Sequence, residues 1–171
     1  VQRYGRRLET KQQNGQTLGD YVTRIEFHDG EKPVSNIRMG EGVQVRIVFS
    51  APKATQAPRL GIVFRRRATG EAVFAVNSDL VGFAPLAAEG TQFAANFVFD
   101  SLNLVHGDYA IDIYAGADGR NHEVIQAATE LHVVEGDVFG TGRLPLTNFG
   151  SVYMPASLSF AQLESRQRAA E

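Results

Sequence analysis

Residues Leu102–Ala115 read Leu-Asn-Leu-Val-His-Gly-Asp-Tyr-Ala-Ile-Asp-Ile-Tyr-Ala, and they confine the fold more tightly than any other stretch. A turn on Gly107-Asp108 runs into a segment where Tyr109, Ile111 and Ile113 alternate with Ala110, Asp112 and Tyr114. Side chains in a strand alternate faces, so the first set shares one apolar side and the second set the other. A strand with one greasy face needs a second layer to cover it.

The rest of the chain supplies that layer. Tyr21, Thr23, Ile25 and Phe27 alternate with Val22, Arg24, Glu26 and His28. Ile37–Met39 is a short strand before the Gly40–Gly42 turn, and Val43, Val45, Ile47 and Phe49 form the cleanest apolar row. A loop follows over Pro52–Pro58. Leu60, Ile62 and Phe64 turn through Thr69-Gly70 into Ala72, Phe74 and Val76, a hairpin pattern. Phe93, Ala95, Phe97 and Phe99 line another strand, and His122–Gln126 and Thr129–Val134 follow the turn at Asp118-Gly119-Arg120-Asn121. Eight or nine short strands without alternating long helices predict an all-β, immunoglobulin-like antiparallel β-sandwich, in which Leu-x-x-Gly-x-Tyr-x-Ile marks the turn into a late core strand. Residues 1–18 read as a polar linker, 19–138 as the sandwich and 139–171 as a C-terminal extension. Gly140, Gly142, Pro145 and Gly150 make that extension irregular, and Ser157–Ala170 is either a short helix or a frayed end.

Composition removes several functions. With no cysteine among 171 residues, disulfides, thiolate metal sites and a cysteine nucleophile are excluded. A net charge of −2 is too balanced for nucleic acid binding. Neither Gly-x-x-x-x-Gly-Lys-Ser/Thr nor Gly-x-Gly-x-x-Gly nor Gly-x-Ser-x-Gly occurs, so no phosphate loop or nucleophile elbow is signalled. His28, His106, His122 and His132 match no zinc spacing. No apolar run is long enough to span a membrane, and no signal-peptide pattern opens the chain. We therefore expect no catalytic residue, metal or cofactor here. Because the first residue is Val, we expect the chain to be a piece of a longer protein.

Two constellations carry chemistry. Arg65-Arg66-Arg67 ends a strand whose Leu60, Ile62 and Phe64 face inward, which puts Arg65 and Arg67 on the outer face. Two guanidinium forks grip carboxylate or phosphate in two-point geometry; the ordinary alternative is a solvated hairpin tip. The second is the outer face carrying Val63 and Arg65, Val73, Ala75 and Asn77, and Ala110, Asp112 and Tyr114. Small residues leave a trough between Arg65, Arg67, Asn77, Asp112 and Tyr114. Sugars suit it, because their C–H faces stack on rings while their hydroxyls need donors and acceptors. The alternative is a plain polar sheet face. Replacing Arg65 and Arg67 with Ala is expected to remove glycan binding with the fold intact.

Several motifs stand in a familiar order: Arg3-Tyr4-Gly5, Gly19–Phe27, Ile37-Arg38-Met39-Gly40-Glu41, Val43-x-Val45-x-Ile47, Leu60-Gly61-Ile62-Val63-Phe64-Arg65, Val73-Phe74-Ala75-Val76-Asn77-Ser78, Leu104-x-x-Gly107-x-Tyr109 and His122-Glu123-Val124-Ile125. In this the chain resembles the carbohydrate-binding C-terminal domain of Wzt-type subunits, the ATPases of bacterial O-antigen ABC transporters. The resemblance implies a dimerising sandwich that binds the completed, often capped, non-reducing end of an O-antigen polysaccharide. It implies partners: an ATPase domain N-terminal to this piece and a transmembrane transporter subunit, at the cytoplasmic face of the inner membrane. It also implies that any strand exchange in a homodimer falls on Thr129–Val134 and its continuation. The polar insert before Gly19 and the long tail depart from the family. The competing expectation is a structural or adhesion sandwich that makes protein contacts and exposes an apolar patch.

Overall fold

The computed structural model describes residues 18–50, 58–82, 92–118 and 120–159. Residues 1–17 of the expected linker, 52–57 of the expected loop, Gly119 of the expected turn and the part of the expected helix or frayed end beyond 159 lie outside the described residues. Nine strands follow in order: β1 (Val22–Asp29), β2 (Lys32–Val34), β3 (Asn36–Arg38), β4 (Val43–Ser50), β5 (Pro58–Arg66), β6 (Ala72–Asn77), β7 (Gln92–Phe99), β8 (Gly107–Ala117) and β9 (Arg120–Val134). They form a four-stranded sheet, ordered β2-β1-β4-β7, and a five-stranded sheet, ordered β3-β9-β8-β5-β6. A one-turn helix, α1 (Ser78–Val81), follows β6.

The two sheets press their apolar faces together, as the alternation requires. Ile25, Val45 and Ile47 from the first meet Ile62, Phe64, Tyr109, Ile111 and Ile113 from the second, all within 1 % of complete burial. Each such large side chain contributes roughly 1.5–3 kcal/mol when taken out of water. Phe64, Phe74 and Phe99 close one flank with ring centroids 5.5–6.2 Å apart.

The β-sandwich is as expected, with local departures. The second sheet is mixed, because β3 runs parallel to the end of β9. In β1 the register slips between Val22 and Arg24, so Val22 joins Ile25 and Phe27 in the core. The two strands expected at 122–126 and 129–134 are one strand, β9. Opposite Ile111 and Ile113 stand Thr129 and Ile125, so three residues of β9 face one of β8. Ala127 in that bulge adopts φ 48°, which an L side chain rarely takes. Thr129–Val134 pairs with β8 on one side, and over His132–Val134 with β3 on the other.

The sandwich also runs past residue 138. Tyr153 is buried in the core cluster, and Leu104 bridges Val152. The Tyr109 hydroxyl donates to the Val105 carbonyl at 2.5 Å and to the Ser151 carbonyl at 3.2 Å. Its cross-strand partner Arg66 donates to Ser151 Oγ at 2.9 Å. Together they pin the tail to the end of the sandwich. Burial pushes the Tyr109 phenol above its ordinary value of 10.0, with the nearby Arg66 charge opposing. That contribution to stability is therefore complete below 10.0 and is lost as pH rises through the raised value. Residues 157–159 have no regular structure.

Glu123 ties the two sheets at the other end. Its carboxylate accepts the backbone N–H groups of Asp20 at 2.5 Å, Tyr21 at 3.2 Å and Val22 at 2.9 Å. The chain must come close to do this: a Cβ on Gly19 would lie 2.1 Å from Glu123 Oε1. Glu123→Ala leaves three donors unanswered and is expected to cost about 1–3 kcal/mol. Gly19→Ala, which pushes the carboxylate away, should cost a similar amount. Urea unfolding measures both; a wild-type midpoint for either variant would deny the carboxylate this role.

Candidate functional site

Strand register brings the sequence-predicted residues onto one face of the five-stranded sheet. Tyr114, Gly61 and Asn77 stand side by side across β8, β5 and β6. Asp112, Val63 and Ala75 make the next row, and Ala110 and Arg65 the row after. A Cβ on Gly61 would lie 3.2 Å from the Asn77 Cβ and 3.8 Å from the Tyr114 Cβ, so glycine leaves the hollow between them open. The floor is small, and the polar groups stand round it. Val73 departs from the expected face: β6 slips register against Arg65, and Val73 packs against the core.

The polar groups are already at work within the fold. Arg65 Nε donates to Asp112 Oδ2 at 2.7 Å and Nη1 to the Gly70 carbonyl at 3.2 Å. Asp112 Oδ1 accepts the Ala127 N–H at 2.9 Å. Asp112 is only 2 % exposed, so it holds Arg65 and the β9 bulge instead of offering a free carboxylate. The hydrogen bond that Arg65 donates to Asp112 raises its guanidinium above the ordinary value, against desolvation, and Tyr114 adds to the rise. Arg67 Nη1 pairs with Glu130 at 2.7 Å on the same face. Asn77 caps α1 by accepting the Leu80 N–H at 3.1 Å. Tyr114 is half-buried. Arg65 is thus no dispensable surface cation, and the expectation that it can be removed with the fold intact is corrected. Arg66, which the alternation sets on the other side, anchors the tail instead.

A second polar face went unmarked in the sequence. On the outside of the four-stranded sheet, Glu26, Arg46 and Asn96 stand in register across β1, β4 and β7. His28, Gln44 and Val98 form one adjacent row, and Arg24, Val48 and Ala94 the other. The signal was present as the polar half of each alternation. Only the register between strands, distant in sequence, shows that these residues are neighbours.

Beside α1 and β7, an apolar cleft of about 280 Å³ is lined by Phe49, Leu60, Val81, Phe93 and Phe97. Among the described residues it contains no charged side chain. Leu80 and Val81 beside it are 74 % and 61 % exposed. Among the described residues no three His, Asp or Glu side chains gather to hold a metal ion. No helix among them is long and apolar enough to cross a membrane.

Comparison with known proteins adds a family. The sequence model of the Wzt C-terminal domain matches residues 16–144. A crystal structure of the C-terminal domain of Wzt superposes with a TM-score of 0.62 at 14 % identity, over 82 % of this chain and 83 % of that one. No curated protein matches the chain.

The Arg65–Asp112 pair is asymmetric, and stability should show it. Arg65→Ala strands a buried carboxylate and is expected to cost roughly 3 kcal/mol. Asp112→Ala leaves an arginine that is 34 % exposed and can turn to water, so it should cost about half as much. Chemical denaturation of both variants checks the order; equal costs, or a reversed order, would refute the assignment.

Proposed function

We propose, from the premise that the chain belongs to the Wzt C-terminal domain family, that it is a carbohydrate-binding domain which recognises the capped non-reducing end of an O-antigen polysaccharide. Recognition of a finished chain end would couple it to export by an ABC transporter. The observation that carries this reading is the family match over residues 16–144. The trough on the five-stranded sheet supports it: a half-buried tyrosine ring, a glycine hollow and polar groups on several sides suit a pyranose. In this reading Tyr114 stacks on the sugar. Asn77, Arg65 and Arg67 meet its polar groups, and Asp112 acts only by positioning Arg65.

The domain itself does no chemistry on the glycan. Its partners are an ATPase domain preceding it, a transmembrane subunit and a second copy of itself, at the cytoplasmic face of the inner membrane. Each site binds weakly, since a hydrogen bond exchanged with water yields only about 0.5–1.5 kcal/mol. Two sites in a homodimer raise avidity where one glycan assembly reaches both. A second reading, a sandwich whose task is to hold another protein, is favoured by the exposed Leu80 and Val81 beside the apolar cleft.

Calorimetric titration with capped and uncapped O polysaccharide separates these readings. Binding to the capped form alone is expected, and Tyr114→Ala should weaken it about tenfold, the worth of one ring contact, with an unchanged melting temperature. Equal binding of both forms overturns recognition of the terminus. Binding of neither overturns the carbohydrate reading in favour of protein contact.

A further inference from the structure

The outer face of the four-stranded sheet differs from the trough in how its charges are answered. On the five-stranded sheet Arg65 and Arg67 each hold a carboxylate. Arg46 lies at the centre of the other face, half-buried between Glu26 and Asn96 in the strand register. Its Nε is shut off from solvent and meets no hydrogen-bond partner. Its side chain forms no hydrogen bond or ion pair with any described residue. Glu26, the carboxylate opposite it on β1, is engaged along its own strand by Arg24 at 3.6 Å and by His28 at 3.3 Å. A guanidinium Nε shut off from water without a partner is costly, and an anionic acceptor that reaches it recovers that cost.

The neighbours extend the site beyond a bare charge. Gln44 Nε2 donates to Asn96 Oδ1 at 2.8 Å, which fixes the Asn96 amide. Its N–H₂ group then adds a donor beside Arg46, and Gln44 Oε1 is left as an acceptor for a hydroxyl. Val98, 67 % exposed, supplies an apolar surface one row away. A planar acidic group with hydroxyls on an adjoining ring matches this set of donors, acceptor and apolar floor.

We infer that Arg46, Asn96 and Gln44 form a second glycan-contacting site, specific for a sugar that carries an acidic group. The inference rests on the reading that the domain binds polysaccharide, and places a further contact on the sheet opposite the trough. Stacked sheets are about 10 Å apart, so no single sugar touches both. Arg46 supplies the charge, Asn96 a second donor to the same group, and Gln44 the hydroxyl contact.

Titration of the full chain with oligogalacturonate, its neutral methyl ester and inorganic phosphate tests this. The wild type is expected to bind the acid at least tenfold tighter than the ester, with affinity falling as salt rises. Arg46→Ala should remove that preference. Asn96→Asp, which provides a carboxylate from within the chain, should remove it too while holding or raising the melting temperature. Tyr114→Ala, on the other sheet, should leave it untouched. Unchanged preference in both Arg46→Ala and Asn96→Asp, or none in the wild type, overturns the site. Phosphate binding as tight as the acid overturns the sugar specificity. If the wild type ignores these probes but still binds capped O polysaccharide, the acidic site falls and the proposed function stands. Binding of no polysaccharide at all removes both.

Discussion

A carboxylate buried in the middle of a sheet has to be answered on every side, and Asp112 shows how much follows from that. It sits on β8, the central strand of the five-stranded sheet, with β9 and β5 on its flanks and the core beneath it. One oxygen takes Arg65 from β5, and the other takes the Ala127 N–H from β9. To deliver that N–H, β9 gathers three residues where one would ordinarily stand and puts Ala127 in a left-handed conformation. The bulge, the orientation of Arg65 and the shape of the outer face therefore share one cause. The same demand leaves Asp112 only 2 % exposed, with both oxygens already engaged inside the fold.

The core was legible because it obeys local rules. The alternation in β4, β5 and β8 states which residues face inward, and all of Val45, Ile47, Ile62, Phe64, Tyr109, Ile111 and Ile113 do. The tyrosine after Gly107 carries its own signal, a hydroxyl returning to the backbone four residues upstream. Irregularities were not legible. A bulge slips the alternation without leaving a mark in residue type, so Val22 and Val73 changed faces and β9 read as two strands. Parallel pairing of β3 with β9 depends on residues about a hundred positions apart, which no window of sequence contains.

The candidate site was legible by halves for the same reason. Period-two arithmetic put Arg65, Asn77, Asp112 and Tyr114 on one face, and register confirms that they are neighbours. It says nothing about which polar groups the fold has already used. Asp112 and Arg65 belong to each other; Asn77 belongs to a helix cap. A run of three arginines draws attention to itself, yet its members have three separate duties: a buried pair, a tail anchor and a surface pair. Arg46 stands alone in the sequence and draws none, although its Nε is shut off from solvent with no hydrogen-bond partner.

Glu123 has a mechanical meaning. Because Asp20, Tyr21 and Val22 are bound to a side chain of β9, the leading segment does not hang from the four-stranded sheet alone. A pull applied ahead of Gly19 is shared between both layers at once, through hydrogen bonds that must break together. Such a joint conveys torque into the body of the domain instead of dissipating it in a swivel.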